Sequence, residues 1–331
     1  MYNLEEMISE KIDFINESLE ALDISNVNSI LRVPIEYAIS SGGKRLRPII
    51  CTICAEVVGG NYKETKYAFL ALELLHNGTL IHDDIIDEDL FRRGSPSAPI
   101  KFGQKIAVLT GDALFSLGSK FAAKTGRLQV VELLSETALK MVQGVALQTF
   151  NRRKIVSEEE YLNINYLKSG SLFETAAALG GLIGSSRTED SKRLAEFGRN
   201  FGNAYQIRDD ICGVFTESEN DNLSRNDLLN GDITLPFIYA LQSNIISDRD
   251  RKTITSVYMG ETEKVDPTEV QHIYRETGAL DRSILKMKEF AEEGRKYLEP
   301  YERSEAKKVL NIMLDQYYVN FTPSTKLKVI V

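Results

Sequence analysis

The sequence YAFLALELLHNGTLIHDDIIDEDLFRRG, residues 67–94, joins a long apolar helix pattern to a dense cluster of charges. Between Tyr67 and His82 the apolar residues recur with helical spacing on more than one face, which is typical of a helix inside a bundle. Strand-like alternation is scarce elsewhere, and no Gly/Ser-rich linker or tandem repeat divides the chain. The same helical periodicity recurs in Ala107–Thr125, Val130–Phe150 and Glu158–Gly184. We therefore predict a single all-α domain over residues 1–331.

The charged half of this stretch has the composition of a metal and phosphate site. Asp83 and Asp87 are four residues apart, so they share a helix face, where like charges repel and call for a compensating cation. Carboxylates in this arrangement suit Mg²⁺, which proteins usually hold through one or two carboxylates plus substrate phosphates. Arg92 and Arg93 follow within two helical turns and can grip phosphate oxygens through paired hydrogen bonds. The alternative interpretation is a solvated acidic helix end.

Composition limits the class of protein. The 331 residues are 43% apolar, enough for a large buried core, and the net charge of −8 argues against a nucleic-acid partner. The three cysteines do not form a disulfide framework, and we expect Cys51 and Cys54 to be buried thiols. The first residues lack the basic and apolar regions of a signal peptide, and no apolar run is long enough to span a bilayer. We expect a soluble cytoplasmic protein without a transmembrane segment.

Two features upstream of the aspartates suit an anion. In SGGKRLRP (Ser41–Pro48), a glycine turn is followed by Lys44, Arg45 and Arg47 at a helix start, where the helix dipole also favours negative charge. His76 lies nearly two turns before Asp83 and therefore on the same helix face. For His76, a structural role and a functional role weigh about equally.

Two segments downstream carry further candidate ligands. YLKSGSLFE, residues 166–174, brings Lys168 and Ser169 within reach of a phosphate. GNAYQIRDDICGVFTE, residues 202–217, contains Gln206 and a second acidic pair, Asp209 and Asp210. The polar loop that follows, Glu217–Gly231, is expected to form a mobile lid, and the tail Phe321–Val331 to be disordered or a short extended arm.

Taken in order, GGKRLRP, HDDIID…RRG, LTGDALFSLG and GNAYQIRDD resemble the trans-isoprenyl diphosphate synthase (polyprenyl synthetase) family, of geranylgeranyl or longer-chain type. The resemblance covers about Ser41–Pro236. It implies one large α-helical bundle around a central cavity, usually assembled as a homodimer. It also implies a reaction that joins isopentenyl diphosphate head to tail to an allylic diphosphate, with up to three Mg²⁺ ions.

The resemblance assigns roles residue by residue. Metal ligands would be Asp83, Asp87 and Asp209. Isopentenyl diphosphate would bind Lys44, Arg47, His76 and Arg93. The allylic diphosphate would bind Arg92 and Lys168, with Ser169 and Gln206 as further substrate contacts. The catalytic set would be Asp83, Asp84, Asp87, Arg92, Lys168 and Asp209.

The second acidic motif departs from the family pattern. Its usual last aspartate is Gly213 here, and two lysines that usually follow are replaced by Asn222 and Asp232. Glu217, eight residues after Asp209, is positioned to supply the missing oxygen ligand, as in the second metal motif of class I terpene cyclases. A tolerated loss of the last aspartate is the alternative.

The resemblance also bears on product length. It places residues four and five positions before the first aspartate, Thr79 and Gly78, at the floor of the product pocket, with Leu75 deeper. Both positions are small here, which predicts products of C20 or longer, C25–C35 in particular, and Gly78→Phe should shorten them. A helix–helix contact is the alternative reason for Gly78.

Three functions therefore compete. The first is an active synthase of an all-trans polyprenyl diphosphate. The degraded second motif motivates a non-catalytic or regulatory subunit of a heteromeric synthase, and Glu217 motivates a class I terpene cyclase. The cations at Lys44, Arg47 and Arg93 argue against the cyclase, which needs no isopentenyl diphosphate site. The intact first motif argues against a purely structural subunit.

Overall fold

The computed structural model describes residues 4–215, 230–262 and 266–322. Within these ranges the all-α prediction is confirmed, and a two-residue hairpin pairs Phe91–Arg92 with Ser95–Pro96. The helices are α1 Leu4–Glu20, α2 Ser29–Ser40, α3 Leu46–Val57, α4 Lys66–Ile86, α5 Ala98–Phe102, α6 Gln104–Lys124, α7 Leu128–Asn151, α8 Glu158–Asn165, α9 Ser171–Gly184, α10 Thr188–Phe215, α11 Leu235–Gln242, α12 Asp248–Tyr258, α13 Pro267–Glu276, α14 Ala279–Leu298 and α15 Glu305–Leu314. A 3₁₀ turn covers Tyr62–Thr65, and π turns cover Tyr166–Gly170 and Asp315–Val319.

One predicted helix is divided in the structure. The segment Glu158–Gly184 consists of α8, the π turn Tyr166–Gly170 and α9. α8 begins in a capping box between Ser157 and Glu160, which the sequence pattern of the motif explains. A π turn adds a residue to the helical path and is frequent at functional sites. Here it carries Lys168.

The core lies where α3, α4, α9 and α10 meet, and close approach between backbones holds it together. A Cβ atom on Gly180 of α9 would lie 2.4 Å from the carbonyl oxygen of Cys51 on α3. A Cβ atom on Gly198 of α10 would lie 2.3 Å from the carbonyl oxygen of Phe173 on α9. Both helix pairs therefore depend on glycine. Cys51 and Cys54 are fully buried in this core, as predicted.

Helix α6 stands apart in the bundle. Among the described residues it alone is long and apolar enough to cross a bilayer by length and composition, although 44% of the apolar window is buried inside the fold. Its inner side packs along α4. α6 and α7 together leave several large apolar side chains exposed: Val108, Leu109, Leu139, Val142 and Phe150.

Candidate active site

Four predicted diphosphate ligands line one cavity of about 550 Å³. Lys44 comes from the turn before α3, Arg47 from the first turn of α3, His76 from α4 and Arg93 from the hairpin. The glycine turn Gly42–Gly43 and Tyr205 of α10 complete the wall beside them. From the sequence, these four residues were assigned to one site only through the family resemblance. The structure shows that they line the same cavity. We call this the cationic cavity.

Arg47 and His76 form the inner wall of the cationic cavity. Nη1 of Arg47 lies 3.0 Å from Nε2 of His76, and the guanidinium also stacks over the ring of Phe173, 4.4 Å from its centroid. Burial, and then the neighbouring arginines, lower the pKa of His76 well below its usual value, so the imidazole is neutral and accepts this hydrogen bond. Nε of Arg47 and Nδ1 of His76 remain buried with no partner among the residues that the structure describes. Two such donors call for an acceptor, and an anionic oxygen would supply it.

Arg45 does not share this role, contrary to the expectation that all three cations of the turn face an anion. Its Nη1 lies 2.6 Å from Oε1 of Glu73, and Nη2 donates to the carbonyl oxygen of Ile39. Both charged side chains of the pair are almost fully buried. Arg45 is therefore neutralised inside the protein and stabilises the turn.

Arg93 reaches the cavity because Gly43 has no side chain. A Cβ atom on Gly43 would lie 2.8 Å from Cζ of Arg93, whose Nη1 donates to the carbonyl oxygen of Gly42. Burial lowers the pKa of Arg93, with Arg45 and its neighbours adding to this effect. A bound anion would relieve this crowding of positive charge.

At the first acidic motif, Asp84 and Arg92 are partners of each other. Nε of Arg92 lies 2.6 Å from Oδ1 of the buried Asp84, and Nη2 lies 2.8 Å from Oδ2 of Asp89. Burial raises the pKa of Asp84 to about 6 even though Arg92 opposes that shift. This pair fixes the hairpin to the end of α4, so Asp84 holds Arg92 in position rather than facing a ligand.

Asp83 and Asp87 have different surroundings. Burial raises the pKa of Asp83, and the charge of Lys168 opposes it. Lys168 itself donates to Oε1 of Gln148 across 2.7 Å. Asp87 ends α4, where its carboxylate pairs with the guanidinium of Arg152 at the end of α7. Both aspartates thus stand beside a cation that a metal ion would have to replace or accommodate.

In the second acidic motif, as in the first, one aspartate is a buried support. Asp210 is buried and accepts hydrogen bonds from Tyr161 Oη at 2.5 Å and Gln206 Nε2 at 3.0 Å. Burial raises its pKa to about 7. Gln206 in turn accepts from Ser169 Oγ at 2.7 Å, so these two predicted substrate contacts are joined to each other.

Asp209 opens toward solvent, although the surrounding protein raises the pKa of its carboxyl and Lys44 opposes this shift. An exposed carboxyl ordinarily keeps its usual pKa. Asp209 can be both exposed and raised in pKa if water reaches it while protein surrounds it on its other sides. That is the position expected of an aspartate that meets a ligand.

The donors suit Mg²⁺, which prefers carboxylate oxygen and usually completes its shell with water and substrate phosphate. No three potential ligands of the described residues converge on one point. Asp83, Asp87 and Asp209 therefore fit an ion whose other ligands come from a substrate. Glu217 and Asn222 lie outside the described residues. Gly213 lies in the last turn of α10 and offers no side-chain ligand.

Gly78 faces another helix rather than open space, so the structure favours the alternative explanation for this glycine. A Cβ atom on Gly78 would lie 2.6 Å from the ring of Phe115 and 3.1 Å from the carbonyl oxygen of Gly111, both on α6. His82, one turn later, packs its ring edge-to-face on the same Phe115. Thr79 and Leu75 instead lie one and two turns below Asp83, on its own face of α4.

Sequence reasoning missed Arg152 and the contact that Asp232 makes. Nε of Arg152 lies 2.9 Å from Oδ1 of Asp232, and the same guanidinium pairs with Asp87. Arg152 is 65 residues from one partner and 80 from the other, so no local spacing reveals the cluster. The one hint in the sequence was Asp232 itself, which stands where the family pattern has a lysine. A carboxylate at such a position needs a cationic partner if it is buried.

Comparison with known proteins agrees with this fold. The polyprenyl synthetase family model matches residues 28–277, and the chain belongs to that family. It is 33% identical to a geranylgeranyl diphosphate synthase of Methanosarcina mazei over 86% of this chain and 87% of the relative. It is also 33% identical to a geranylfarnesyl diphosphate synthase of Aeropyrum pernix, over 84% and 91% of the two chains.

A solved structure gives the same result at the level of the fold. Geranylgeranyl pyrophosphate synthetase from Pyrococcus horikoshii superposes with a TM-score of 0.85 at 28% identity, covering 95% of this chain and 98% of that one. The chain is accordingly a prenyl-transferring enzyme of isoprenoid biosynthesis.

Proposed function

We propose that the protein elongates an allylic diphosphate with isopentenyl diphosphate to an all-trans polyprenyl diphosphate of C20 or longer. The observation that carries this proposal is the cationic cavity, whose Lys44 and Arg47 lie close enough to Asp209 of α10 to act on its charge. The cationic cavity offers hydrogen-bond donors to an anion, and the aspartates of α4 and α10 offer oxygen ligands to a divalent cation. Two diphosphate substrates require both.

In this proposal the cationic cavity binds isopentenyl diphosphate. Lys44 and Arg93 offer charge, while Nε of Arg47 and Nδ1 of the neutral His76 offer the two buried donors that lack a partner. Charge-assisted hydrogen bonds of this kind are about twice as strong as neutral ones. Because isopentenyl diphosphate keeps its diphosphate during the reaction, a site that grips it tightly does not oppose the chemistry.

The allylic diphosphate would lie between the aspartates of α4 and those of α10. Asp83, Asp87 and Asp209 would hold up to three Mg²⁺ ions, which supply Lewis-acid stabilisation of the leaving diphosphate. Lys168, Ser169 and Gln206 lie along the π turn and α10 where they can orient it, and Arg92 is held on the hairpin by Asp84. Positive groups placed at the departing oxygens stabilise the charge that develops as the allylic bond breaks. Glu217 as a further ligand remains a prediction.

Product length would be set on the face of α4 that lies below Asp83. Thr79 and Leu75 occupy this face and are buried, and neither is aromatic. Each added isoprene unit buries more apolar surface, so growth is favourable until a side chain blocks it. The names of the relatives, geranylgeranyl and geranylfarnesyl diphosphate synthases, agree with a product of C20 or longer. We expect C25–C35.

We also propose a cytoplasmic homodimer. The exposed apolar side chains of α6 and α7 support it, since large exposed apolar surfaces commonly mark protein interfaces. Light scattering at micromolar concentration should give the mass of two chains, and a monomer there would contradict the proposal.

A condensation assay tests the function. Purified protein, Mg²⁺ and labelled isopentenyl diphosphate are combined with allylic primers of five, ten and fifteen carbons, and product length is read by chromatography. We expect label in linear diphosphates of C20 or longer. A hydrocarbon product formed without isopentenyl diphosphate would identify a cyclase. Activity that appears only after a second chain is added would identify a subunit of a heteromeric enzyme.

A further inference from the structure

The end of α7 delivers an arginine into the acidic site from a direction that no sequence motif marks. Arg152 lies between two carboxylates, Asp87 at the end of α4 and Asp232 just before α11. Its side chain and that of Asp87 are each 20% exposed, and that of Asp232 is 8% exposed. Charges this shielded from water interact more strongly than surface pairs.

The two contacts of Arg152 are not equivalent. Asp232 accepts from Nε at 2.9 Å and from Nη2 at 3.3 Å, so it grips the guanidinium along one edge. Asp87 shares only Nη2. The side-on contact to Asp232 fixes the orientation of the guanidinium plane, whereas the contact to Asp87 can be exchanged without losing that orientation.

The backbone holds this pair together. The amide of Arg153 donates to the carbonyl oxygen of Gly231 across 2.9 Å, and Tyr258 Oη donates to the carbonyl oxygen of Lys154. Gly231 has a left-handed φ of +72°, and a Cβ atom there would lie 2.4 Å from Cγ of Arg153. The residues that flank Arg152 and Asp232 are thus fastened to each other, so their ion pair is part of the fold.

We infer that Arg152 is a diphosphate-binding cation of this site, that Asp232 positions it, and that it neutralises Asp87 until a divalent cation takes its place there. This inference rests on the proposed function. If Asp87 held a metal ion, Arg152 would keep its edge on Asp232 through Nε and one Nη2 hydrogen, and the Nη2 hydrogen that Asp87 now accepts would be free for a phosphate oxygen. The positive charge of the lysine that the family pattern places at 232 is then supplied from position 152.

The charges favour this arrangement over a purely structural one. Without Arg152, Asp232 would be a nearly buried carboxylate with no cationic partner in the described part of the chain, beside a substrate that is itself strongly anionic. The contact with Asp232 alone already gives Arg152 a carboxylate partner and fixes its guanidinium along one edge. The second contact, to a predicted metal ligand, links Arg152 to the chemistry.

Four variants test the inference: Arg152→Gln, Arg152→Lys, Asp232→Asn and the double variant Arg152→Gln/Asp232→Lys. Arg295→Gln is the matched control, because Arg295 of α14 also lies between two carboxylates, Glu292 on the same helix and Asp315 at the start of a π turn. Each protein is measured in two ways. Mn²⁺ binding without substrate is read by electron paramagnetic resonance, and binding of inorganic diphosphate with saturating Mg²⁺ is read by calorimetry.

The two readouts should move in opposite directions. Arg152→Gln should bind Mn²⁺ several-fold more tightly, because a competing cation has left Asp87, and should bind diphosphate roughly tenfold more weakly, because a charged hydrogen bond is lost. Asp232→Asn should weaken diphosphate binding less, and Arg152→Lys should fall between wild type and Arg152→Gln. The double variant, which returns a cation at position 232, should recover diphosphate binding to within about threefold of wild type. Arg295→Gln should change neither.

A purely structural role would give another pattern. If Arg152→Gln leaves diphosphate affinity within twofold of wild type, or weakens both ligands together, the inference is overturned. If Arg152→Gln does not fold, Arg152→Lys and the double variant decide, and no recovery in the double variant overturns it. Condensation activity of the wild type is measured on the same preparation. An inactive wild type that shows the predicted binding pattern would overturn the proposed function instead.

Discussion

The aspartates of the two acidic motifs are stabilised by different kinds of partner, cations on α4 and neutral hydrogen-bond donors on α10. On α4, Asp84 pairs with Arg92, Asp87 pairs with Arg152, and Asp83 stands beside Lys168. On α10, the partners of Asp210 are neutral, namely Tyr161 and Gln206. In each motif one aspartate, Asp84 or Asp210, is buried as a support, and in the second motif Asp209 is exposed.

The two motifs differ in which partner an aspartate must give up when a metal ion binds and in how its carboxyl is protonated. An aspartate held by a cation must exchange that partner when a metal ion binds. Burial raises the pKa of both supporting carboxyls: to about 6 in Asp84, where the charge of Arg92 opposes the shift, and to about 7 in Asp210, where hydrogen bonds from the neutral Tyr161 and Gln206 oppose it. The first motif is therefore prepared for ionic ligands, whereas the second has a neutral support and one exposed carboxylate, Asp209. Mutations in the first motif should therefore lower activity more than mutations in the second.

Loss of a ligand from the first motif should have the largest effect. Asp83→Ala or Asp87→Ala should lower kcat about 10³-fold, because several kcal/mol of transition-state stabilisation depend on the metal ion. Steady-state kinetics and circular dichroism measure activity and helix content together. Glu88→Gln, an exposed neighbour, is the control and should stay near wild type. Activity within about threefold of wild type in either alanine variant would remove the first motif from the mechanism.

Asp209→Asn should have a smaller effect, roughly 10–10²-fold in kcat, since the second motif lacks its last aspartate at Gly213 and offers fewer ligands. The Mg²⁺ concentration for half-maximal activity should rise as well. If Asp209→Asn is more damaging than both first-motif variants, the proposed order of the two motifs is reversed.

Arg45 and Arg47 sharpen the comparison within the cationic cavity, because they are two residues apart and only one has a carboxylate partner. Arg47→Gln should raise the KM for isopentenyl diphosphate roughly tenfold and leave the melting temperature nearly unchanged. Arg45→Gln should cost about 3–5 kcal/mol of unfolding free energy, because Glu73 is left buried and unpaired.

The double variant Arg45→Gln/Glu73→Gln is the control for this pair. It should recover part of the stability, as measured by denaturant unfolding. An Arg47 variant that loses stability but keeps its KM would show that both arginines are structural.

The sequence was informative where a pattern is local. Helical periodicity predicted α4 and α7 within a few residues, and the resemblance named the four ligands that the cationic cavity collects. It was uninformative where the partner is distant in the chain, as for Arg152 and Asp232. For Gly78 a role in chain length stays a prediction, because spacing from Asp83 does not say which helix face meets α6. That information resides in the packing of Phe115.

Product length can be tested on the two faces of α4. Thr79→Phe places an aromatic ring below Asp83 and should shorten the product to C15–C20, read by chromatography. Gly78→Ala should instead destabilise the protein by roughly 1–3 kcal/mol through its contact with Phe115 and should leave product length unchanged. Unaltered products from Thr79→Phe would place the floor of the pocket elsewhere.

The smallest effect should come from the neutral support of the second motif. The pKa of Asp210 is about 7 in the fold against a usual value of 3.8, so the folded chain keeps this proton while the unfolded chain releases it. Stability should therefore fall as pH rises from about 4 to 7 and level off above, following proton linkage. In Asp210→Asn this component is absent, so its melting temperature in metal-free buffer should fall less across the same range. Equal slopes would contradict the raised pKa.

The central claim is that the allylic diphosphate lies between the two motifs. A crystal structure with Mg²⁺ and an allylic thiolodiphosphate, which resists loss of its diphosphate, tests it most directly. We predict metal-bound oxygens from Asp83 and Asp87 on one side and Asp209 on the other, with Arg152 still on Asp232 and its Nη2 on a phosphate oxygen. A diphosphate bound away from either motif, or Arg152 still on Asp87 beside bound metal, would contradict the account.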